Sequence, residues 1–515
     1  MYPGTHAATH PGKAAVVMGA SGERVTYSEL DERSARLARL LRERGARPGD
    51  TVALVAENHP RYLEVVWAAL RSGLYLTAVN WHLAPNEAAY LVDDSNAKAL
   101  VATARFAELA TRVAELAPDC GIRLMMDGTA DGFESYEAAI ATQPEGPLAD
   151  QPRGEVMLYS SGTTGRPKGI RRPLSGDAVD SPSRTGISTL ARFLFGMTED
   201  SVYLCPAPLY HAAGLQWSAG VHELGGTLVL LDRFDAEQML AIIERERVTH
   251  VQVVPTMLVR LLKLPDETRR RYDLSSLRRL IHAAAPCPPD VKRRMIDWLG
   301  PIVDEYYSGT EGAGLTYIGA EDWLTHPGSV GRPLVGTPHI CDETGQELPT
   351  GAAGMLYFER DEAPFEYHRD PEKTRESRHP SHPTWVTAGD MGYLDADGYL
   401  YLTDRKNFTI ISGGVNIYPA EIEAALVMHP QVADVAVFGL PDAEMGEYVH
   451  AVVQLAEGVA GSPELAEQLR AYLRDGVAGY KVPRVVVFRD ELPRMPTGKL
   501  AKGKLREEYL AQISA

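Results

Sequence analysis

Between residues 27 and 102 the chain switches repeatedly between a helical and a strand-like pattern, and this alternation leaves few architectures open. Residues 27–44 carry apolar side chains at helical spacing, among them Leu30, Leu37 and Leu41. Gly45 and the Pro48-Gly49 pair stop that helix, and residues 51–55 then read as a short buried strand. Residues 62–71 are helical again and 74–79 strand-like; a further helix ends over 90–94 and a strand follows at 99–102. The pattern returns as a strand at 227–231, a helix at 236–246 and a strand at 249–254. Helices alternating with apolar strands predict the α/β class, with parallel-rich sheets flanked by helices.

At 515 residues the chain exceeds one ordinary domain and suits a large domain plus a small one. From about residue 355 its character changes. Short strands at 355–358, 392–394 and 399–403, separated by turns such as Asp395-Ala396-Asp397-Gly398, predict a small β-barrel-like subdomain. The His-, Pro- and Arg-rich stretch 375–383 is expected to be a surface loop. After residue 405 comes a compact block with helices at 419–428 and 465–475 and strands at 432–440, 449–455 and 485–488. This predicts an N-terminal domain over residues 1–404 and a small α+β C-terminal domain over 405–515.

A formal net charge of −17 excludes a chain that binds nucleic acid by wholesale phosphate neutralisation. The triplet Arg269-Arg270-Arg271 is expected to be a solvated face. Cys120, Cys205, Cys287 and Cys341 are far apart and form no C-x-x-C pair, which argues against a disulfide framework or a zinc site and fits a reducing cytoplasm. Residues 1–10 have no signal-peptide pattern, and no stretch is apolar over the length needed to span a bilayer.

Residues 159–169 read Y-S-S-G-T-T-G-R-P-K-G and follow a short apolar strand. Glycines let a backbone approach an anion closely, hydroxyls and amides supply donors, and Lys168 adds a compact positive charge. The loop is a phosphate cradle by its chemistry. It is not a Walker A loop, because Lys168 is followed by Gly169 where that motif has Ser or Thr.

In this segment the chain resembles the adenylate-forming superfamily of acyl-CoA synthetases, adenylation domains and luciferases, and the resemblance extends over essentially its whole length. It implies a loop, Ser160, Ser161, Gly162, Thr163, Thr164, Gly165 and Lys168, that holds the phosphates leaving as pyrophosphate. It implies a small C-terminal domain that moves between two half-reactions: an acid and ATP form an acyl-AMP, and a thiol then displaces AMP. Residues 283–286 are similar to the family's G-A-A-P turn against adenine, with Ala284, Ala285 and Pro286 at the base. Residues 306–311, Y-Y-S-G-T-E, resemble Y-G-x-T-E. Tyr306 and Tyr307 are then expected at the nucleotide, with Tyr307 stacking on adenine, Thr310 on the α-phosphate and Glu311 holding Mg²⁺. The glycine of this motif falls one place late, at Gly309, with Ser308 in its usual position.

Residues 385–390, W-V-T-A-G-D, resemble W-F-x-T-G-D, which implies Asp390 accepting from both ribose hydroxyls, with Arg405 beside it; Ala388 stands in place of threonine. Lys499, in Pro496-Thr497-Gly498-Lys499, matches the family's catalytic lysine, whose ammonium would steady the charge that grows between carboxylate and α-phosphate. Asn407 falls at the hinge position, where Asp or Lys is more usual, and Ser412, Gly413 and Gly414 at the loop lining the coenzyme A tunnel.

His211 matches an aromatic gate to the acid pocket, with Ala212, Ala213, Val253, Gly312, Ala313 and Gly314 as pocket candidates. The alanines after His211 disfavour an α-amino acid, whose ammonium would lack a partner. Small uncharged lining residues suggest a fatty, aromatic or polycyclic acid. The implied co-substrates are ATP, Mg²⁺ and coenzyme A. Adenylation alone, with a partner or carrier protein taking the acyl group, stays open, as does a homodimer.

Overall fold

The computed structural model describes residues 1–160, 167–181, 186–405, 408, 410–412, 415–442, 444–474, 477–494 and 500–514. Two sheets dominate the first 335 residues. In the first, six parallel strands run in the order Glu134–Ser135, Ile122–Met126, Ala97–Thr103, Thr51–Val55, Tyr75–Val79, Glu155–Val156. The second has nine strands. Its parallel middle runs Val303–Ser308, Arg279–His282, His250–Val253, Val202–Cys205, Thr227–Leu230, Ala14–Met18, and antiparallel strands close both ends.

Helices Tyr27–Glu43, Tyr62–Leu70 and Ala212–Leu224 fill the space between the two sheets, and further helices cover both outer faces. Successive strand residues therefore enter different cores. Val52 and Leu54 join the central core, while Ala53 and Val55 join the outer one. That is why these strands read as unbroken apolar runs.

Local signals fix the helix ends. Thr26 and Glu29 form a reciprocal capping box ahead of Tyr27–Glu43, and Gly225, at φ 81°, ends Ala212–Leu224 in the left-handed conformation. Ala212–Leu224 is nearly enclosed, with residues 214, 215 and 217–224 buried. A helix buried on nearly all sides carries no amphipathic stripe, so its sequence pattern does not announce it.

The expected β subdomain is a five-stranded antiparallel sheet built from Thr337–Cys341, Gly354–Glu359, Trp385–Val386, Asp390–Leu394 and Leu400–Arg405 around its own core, which includes Phe358 and Val386. The stretch 375–383 is largely exposed and irregular, as expected of a surface loop, but it is anchored at two points. It starts inside helix Pro371–Glu376, buries Ser377 and His379, and ties His379 Nε2 to the Gly345 carbonyl at 2.8 Å. The C-terminal block has the expected α+β content. Val432–Asp442 and Gly446–Leu455 form a long hairpin, Val485–Arg489 joins it in parallel, and Pro419–Leu426 and Pro463–Arg474 pack on it, with Lys502–Ser514 at the end. The arginines at 269–271 carry ion pairs to Asp266 and Glu237 on the surface, as a solvated face should.

Candidate active site

The carboxyl ends of the parallel strands in the nine-stranded sheet open onto one cleft of about 2900 Å³. Open α/β sheets place ligands at that edge, where loops leave the strands and helices begin. Four strand ends contribute. Residues 207–213 follow Val202–Cys205, residues 254–257 follow His250–Val253, residues 283–289 follow Arg279–His282, and residues 308–312 end and follow Val303–Ser308. Residues 387–390 of the antiparallel sheet and Glu421, Glu423, Arg494 and Lys502 of the C-terminal block face them.

The turn after Arg279–His282 holds Ala284 at φ 74°, in the left-handed region that a Cβ disfavours. A non-glycine residue held there costs about 1–3 kcal/mol and persists only when its surroundings impose it. Ala283 is buried, while Ala284, Ala285 and Pro286 are exposed at the cleft edge. Beneath this turn lies a buried ion pair. The Lys292 ammonium, with no exposure, donates to Glu305 Oε2 at 2.6 Å and lies 5.1 Å from the Trp323 ring centroid. Burial raises the Glu305 carboxyl above its ordinary pKa, with Lys292 opposing the shift. His282, in the same cluster, is held well below its usual pKa by burial.

Tyr306 and Tyr307 are neighbours on one strand and therefore face opposite ways. The Tyr307 hydroxyl donates to Asp390 Oδ2 at 2.7 Å, on the side of the antiparallel sheet. Tyr306 points into the central core, where its hydroxyl accepts from Trp217 Nε1–H at 3.0 Å. The two tyrosines expected at the nucleotide thus part company. Asp390 and Arg405 pair in register on adjacent antiparallel strands, which puts both ribose candidates side by side.

Around the phosphate station, Leu158–Ser160 and Lys168–Arg171 form an antiparallel pair with Ser160 opposite Lys168. Ser161, Gly162, Thr163, Thr164 and Gly165 lie outside the described residues. Lys168 Nζ lies 3.4 Å from Asp370 Oδ2 and 5.6 Å from the Tyr367 ring centroid. The Tyr367 hydroxyl in turn donates to Glu311 Oε1 at 3.1 Å. One tyrosine thus spans Lys168 and Glu311. Gly309 leaves space beside that carboxylate, since a Cβ there would stand 3.0 Å from Glu311 Oε2. Arg172 fixes the adjoining backbone by donating to the Thr310 carbonyl at 3.1 Å. Gly312, at φ 66°, passes so near Arg172 that a Cβ would meet its guanidinium at 3.0 Å. Tyr367 and Arg172 belong to no short motif, and the sequence reading missed both.

Two acid-pocket candidates point elsewhere. Val253 is fully buried in the outer core beneath the helices that cover the nine-stranded sheet, and Ala313 is packed in the core of the antiparallel sheet with Phe358. Strand alternation brings Gln252, not Val253, to the cleft. His211 stands at the N-terminus of helix Ala212–Leu224, and it lines the cleft together with Ala212, Ala213 and Gly312. Ser412 closes strand Ile410–Ser412 opposite Val415 and does not line the cleft. Asn407, Gly413, Gly414 and Lys499 lie outside the described residues. Arg494 and Leu500, which flank the segment holding Lys499, pair with each other and both line the cleft.

Fold and site define an adenylate-forming ligase. A family model described as AMP-binding enzyme matches residues 4–363, and one described as AMP-binding enzyme C-terminal domain matches 421–499. The chain belongs to the AMP-binding enzyme family. It is 36% identical over 514 residues to a feruloyl-CoA synthase of Amycolatopsis sp, covering 99% of this chain and 98% of that one. It is 30% identical over 511 residues to a fatty acid–[acyl-carrier-protein] ligase of Streptomyces coeruleorubidus, covering 98% and 95%. Among solved structures, an amide bond synthetase from Marinactinospora thermotolerans superposes with a TM-score of 0.82 at 30% identity, covering 98% of this chain and 99% of that one.

Proposed function

We propose that the protein activates a hydrophobic carboxylic acid with ATP and passes the acyl group to coenzyme A. In the first step a carboxylate oxygen attacks the α-phosphorus of ATP, the bond to the β-phosphate oxygen breaks, and pyrophosphate leaves. In the second, a thiolate attacks the acyl carbon and AMP leaves with the bridging oxygen. The carboxylate is already ionised near neutral pH, so the first step needs no general base.

The observation that carries this reading is the convergence of Lys168, Glu311, Asp390 and the Ala284 turn on one cleft at the strand ends. Asp390 is assigned to the ribose, Tyr307 to the adenine face, and Thr310 with Lys168 and the loop 160–165 to the phosphates. Lys499 is assigned the bridging role between carboxylate and α-phosphate, where a fixed cation stabilises the charge that develops. The space Gly309 leaves beside the Glu311 carboxylate fits a hard cation such as Mg²⁺, which takes one or two carboxylates and completes its shell with phosphate oxygens and water. Bound there, the cation would neutralise phosphate charge. Residues 405–515 are assigned to a unit that reorients between the two steps about Asn407, presenting Ser412, Gly413 and Gly414 to the pantetheine arm.

The relatives support thioester formation through the feruloyl-CoA synthase and a hydrophobic acid through the fatty-acid ligase. Their named products also differ in acceptor, and the amide bond synthetase favours a second reading, in which the adenylate is made here and a different nucleophile takes the acyl group. Pyrophosphate release and acyl-CoA mass, followed in parallel across fatty, aromatic and polycyclic acids with and without coenzyme A, test both. Acid-dependent pyrophosphate with acyl-CoA supports the first reading. Acyl-AMP that accumulates in the presence of coenzyme A supports the second, and absence of pyrophosphate with every acid overturns both.

A further inference from the structure

Aromatic rings wall one flank of the cleft, and apolar side chains of helix Gly186–Phe193 such as Ile187 and Leu190 line it as well. Trp217 is fully buried and donates to the hydroxyl of Tyr306, which is 7% exposed. Behind Trp217 stand the rings of Phe195 and Tyr203, at centroid distances of 5.5 and 6.0 Å. This aromatic stack continues into the central core. On the near side, Ala212 and Ala213 at the start of helix Ala212–Leu224 occupy little volume.

Two polar groups here lack a partner, the Tyr203 hydroxyl and the Gln252 amide oxygen, and of the two it is Gln252 that lines the cleft. Gln252 lines the cleft, is 1% exposed, and lies on a strand whose neighbour in register, Ile281, joins the same core as Trp217 and Tyr306. Its Nε2 donates to the Val253 carbonyl at 3.0 Å, which fixes the orientation of the amide, because a flipped amide would set two acceptors against each other. The Oε1 is then buried without a donor. Buried polar atoms nearly always have a partner, and an orphan acceptor beside a ligand cavity points to a donor that arrives with the ligand.

We propose that Gln252, Trp217 and Tyr306 select a compact aryl acid that carries a hydrogen-bond donor, a ring hydroxyl or amine, at the end remote from its carboxylate. This deepens, and rests on, the reading of the cleft as an acid-activating site. The aromatic wall stops the ring and sets the length of the acid. The Gln252 amide oxygen accepts from the ring substituent and discriminates against acids that lack it, since those leave the oxygen unpaired in a dry site.

The test compares matched pairs on the purified protein by pyrophosphate release: 4-hydroxycinnamate with cinnamate, 3-hydroxybenzoate and 4-hydroxybenzoate with benzoate, and palmitate as a long chain. At least one hydroxylated acid should exceed its unsubstituted partner by about 10–100-fold in kcat/KM, and palmitate should trail both. In Gln252→Leu the ratio within that pair should collapse toward unity, and Tyr306→Ala should raise palmitate relative to the aryl acids. Equal use of hydroxylated and unsubstituted acids by the unmodified protein overturns the assignment of Gln252, whether or not any variant folds. A preference for palmitate overturns the wall while leaving acid activation standing. Absence of pyrophosphate with every acid removes the underlying activity and this inference with it.

Discussion

The side of the cleft assigned to the nucleotide and the side assigned to the acid are built differently. On the side assigned to the nucleotide several polar groups are engaged before any ligand arrives: Tyr307 with Asp390, Tyr367 with Glu311, Lys168 with Asp370, and the buried Lys292–Glu305 pair beneath the Ala284 turn. On the acid side apolar packing sets the shape, and the Gln252 oxygen is left without a donor. Charged phosphates need fixed dipoles and cations that do not reorganise during the reaction. A hydrophobic acid needs volume, and one polar contact suffices to tell it from its analogues.

This contrast can be broken from the nucleotide side, beginning with the largest effect. Lys292→Met strands Glu305 as a buried, unpaired carboxylate and should lower stability by about 3–5 kcal/mol, measured by urea unfolding. The pH dependence has a definite sign. Glu305 already titrates above its ordinary pKa because it is buried, and loss of Lys292 raises it further. A carboxyl with a raised folded-state pKa binds protons more tightly when folded, so its stability contribution is present at low pH and lost as pH rises. The variant's deficit should therefore be smaller at pH near 5 than at pH near 8. An equal deficit at both would show that Glu305 does not carry the cost.

Lys499→Ala should lower acid adenylation by about 10²–10³-fold with the fold intact by circular dichroism, the range for removing one preorganised transition-state contact. Asp390→Asn keeps the size of the side chain but loses the charge, and should raise the KM for ATP by roughly 10-fold with little change in the KM for the acid. An effect on the acid alone would move Asp390 to the other side of the comparison. Tyr367→Phe removes only the hydroxyl bonded to Glu311 and should cost about 3–10-fold in kcat/KM for ATP.

The two sides also differ in how much of them the sequence discloses. The nucleotide side is spelled in short contiguous runs because a phosphate or ribose contact needs particular atoms from residues close in the chain. Lys168, Glu311 and Asp390 could each be named in this way. The acid side depends on the phase of a strand. Whether Gln252 or Val253 meets the cavity is decided by which of two buried faces each residue takes, and a strand buried on both faces shows no alternation to read. Ala313 failed for the same reason, since its small size fits a cavity wall and a core equally well. Helix Ala212–Leu224, which carries Trp217, was invisible because burial on nearly all sides erased its amphipathic stripe. Tyr367 and Arg172 act through contacts distant in the chain, and nothing in their local sequence marks them.

The most direct measurement of the central claim is isotopic. The protein is given ATP, Mg²⁺, coenzyme A and an accepted acid whose carboxylate carries ¹⁸O, and the nucleotide product is weighed by mass spectrometry. If the carboxylate attacks the α-phosphorus, the product is AMP bearing one ¹⁸O from the acid, because the bridging oxygen stays with phosphorus when the thiol displaces AMP. Unlabelled AMP, or ADP with inorganic phosphate, would contradict an acyl-adenylate intermediate and with it the whole assignment of the cleft.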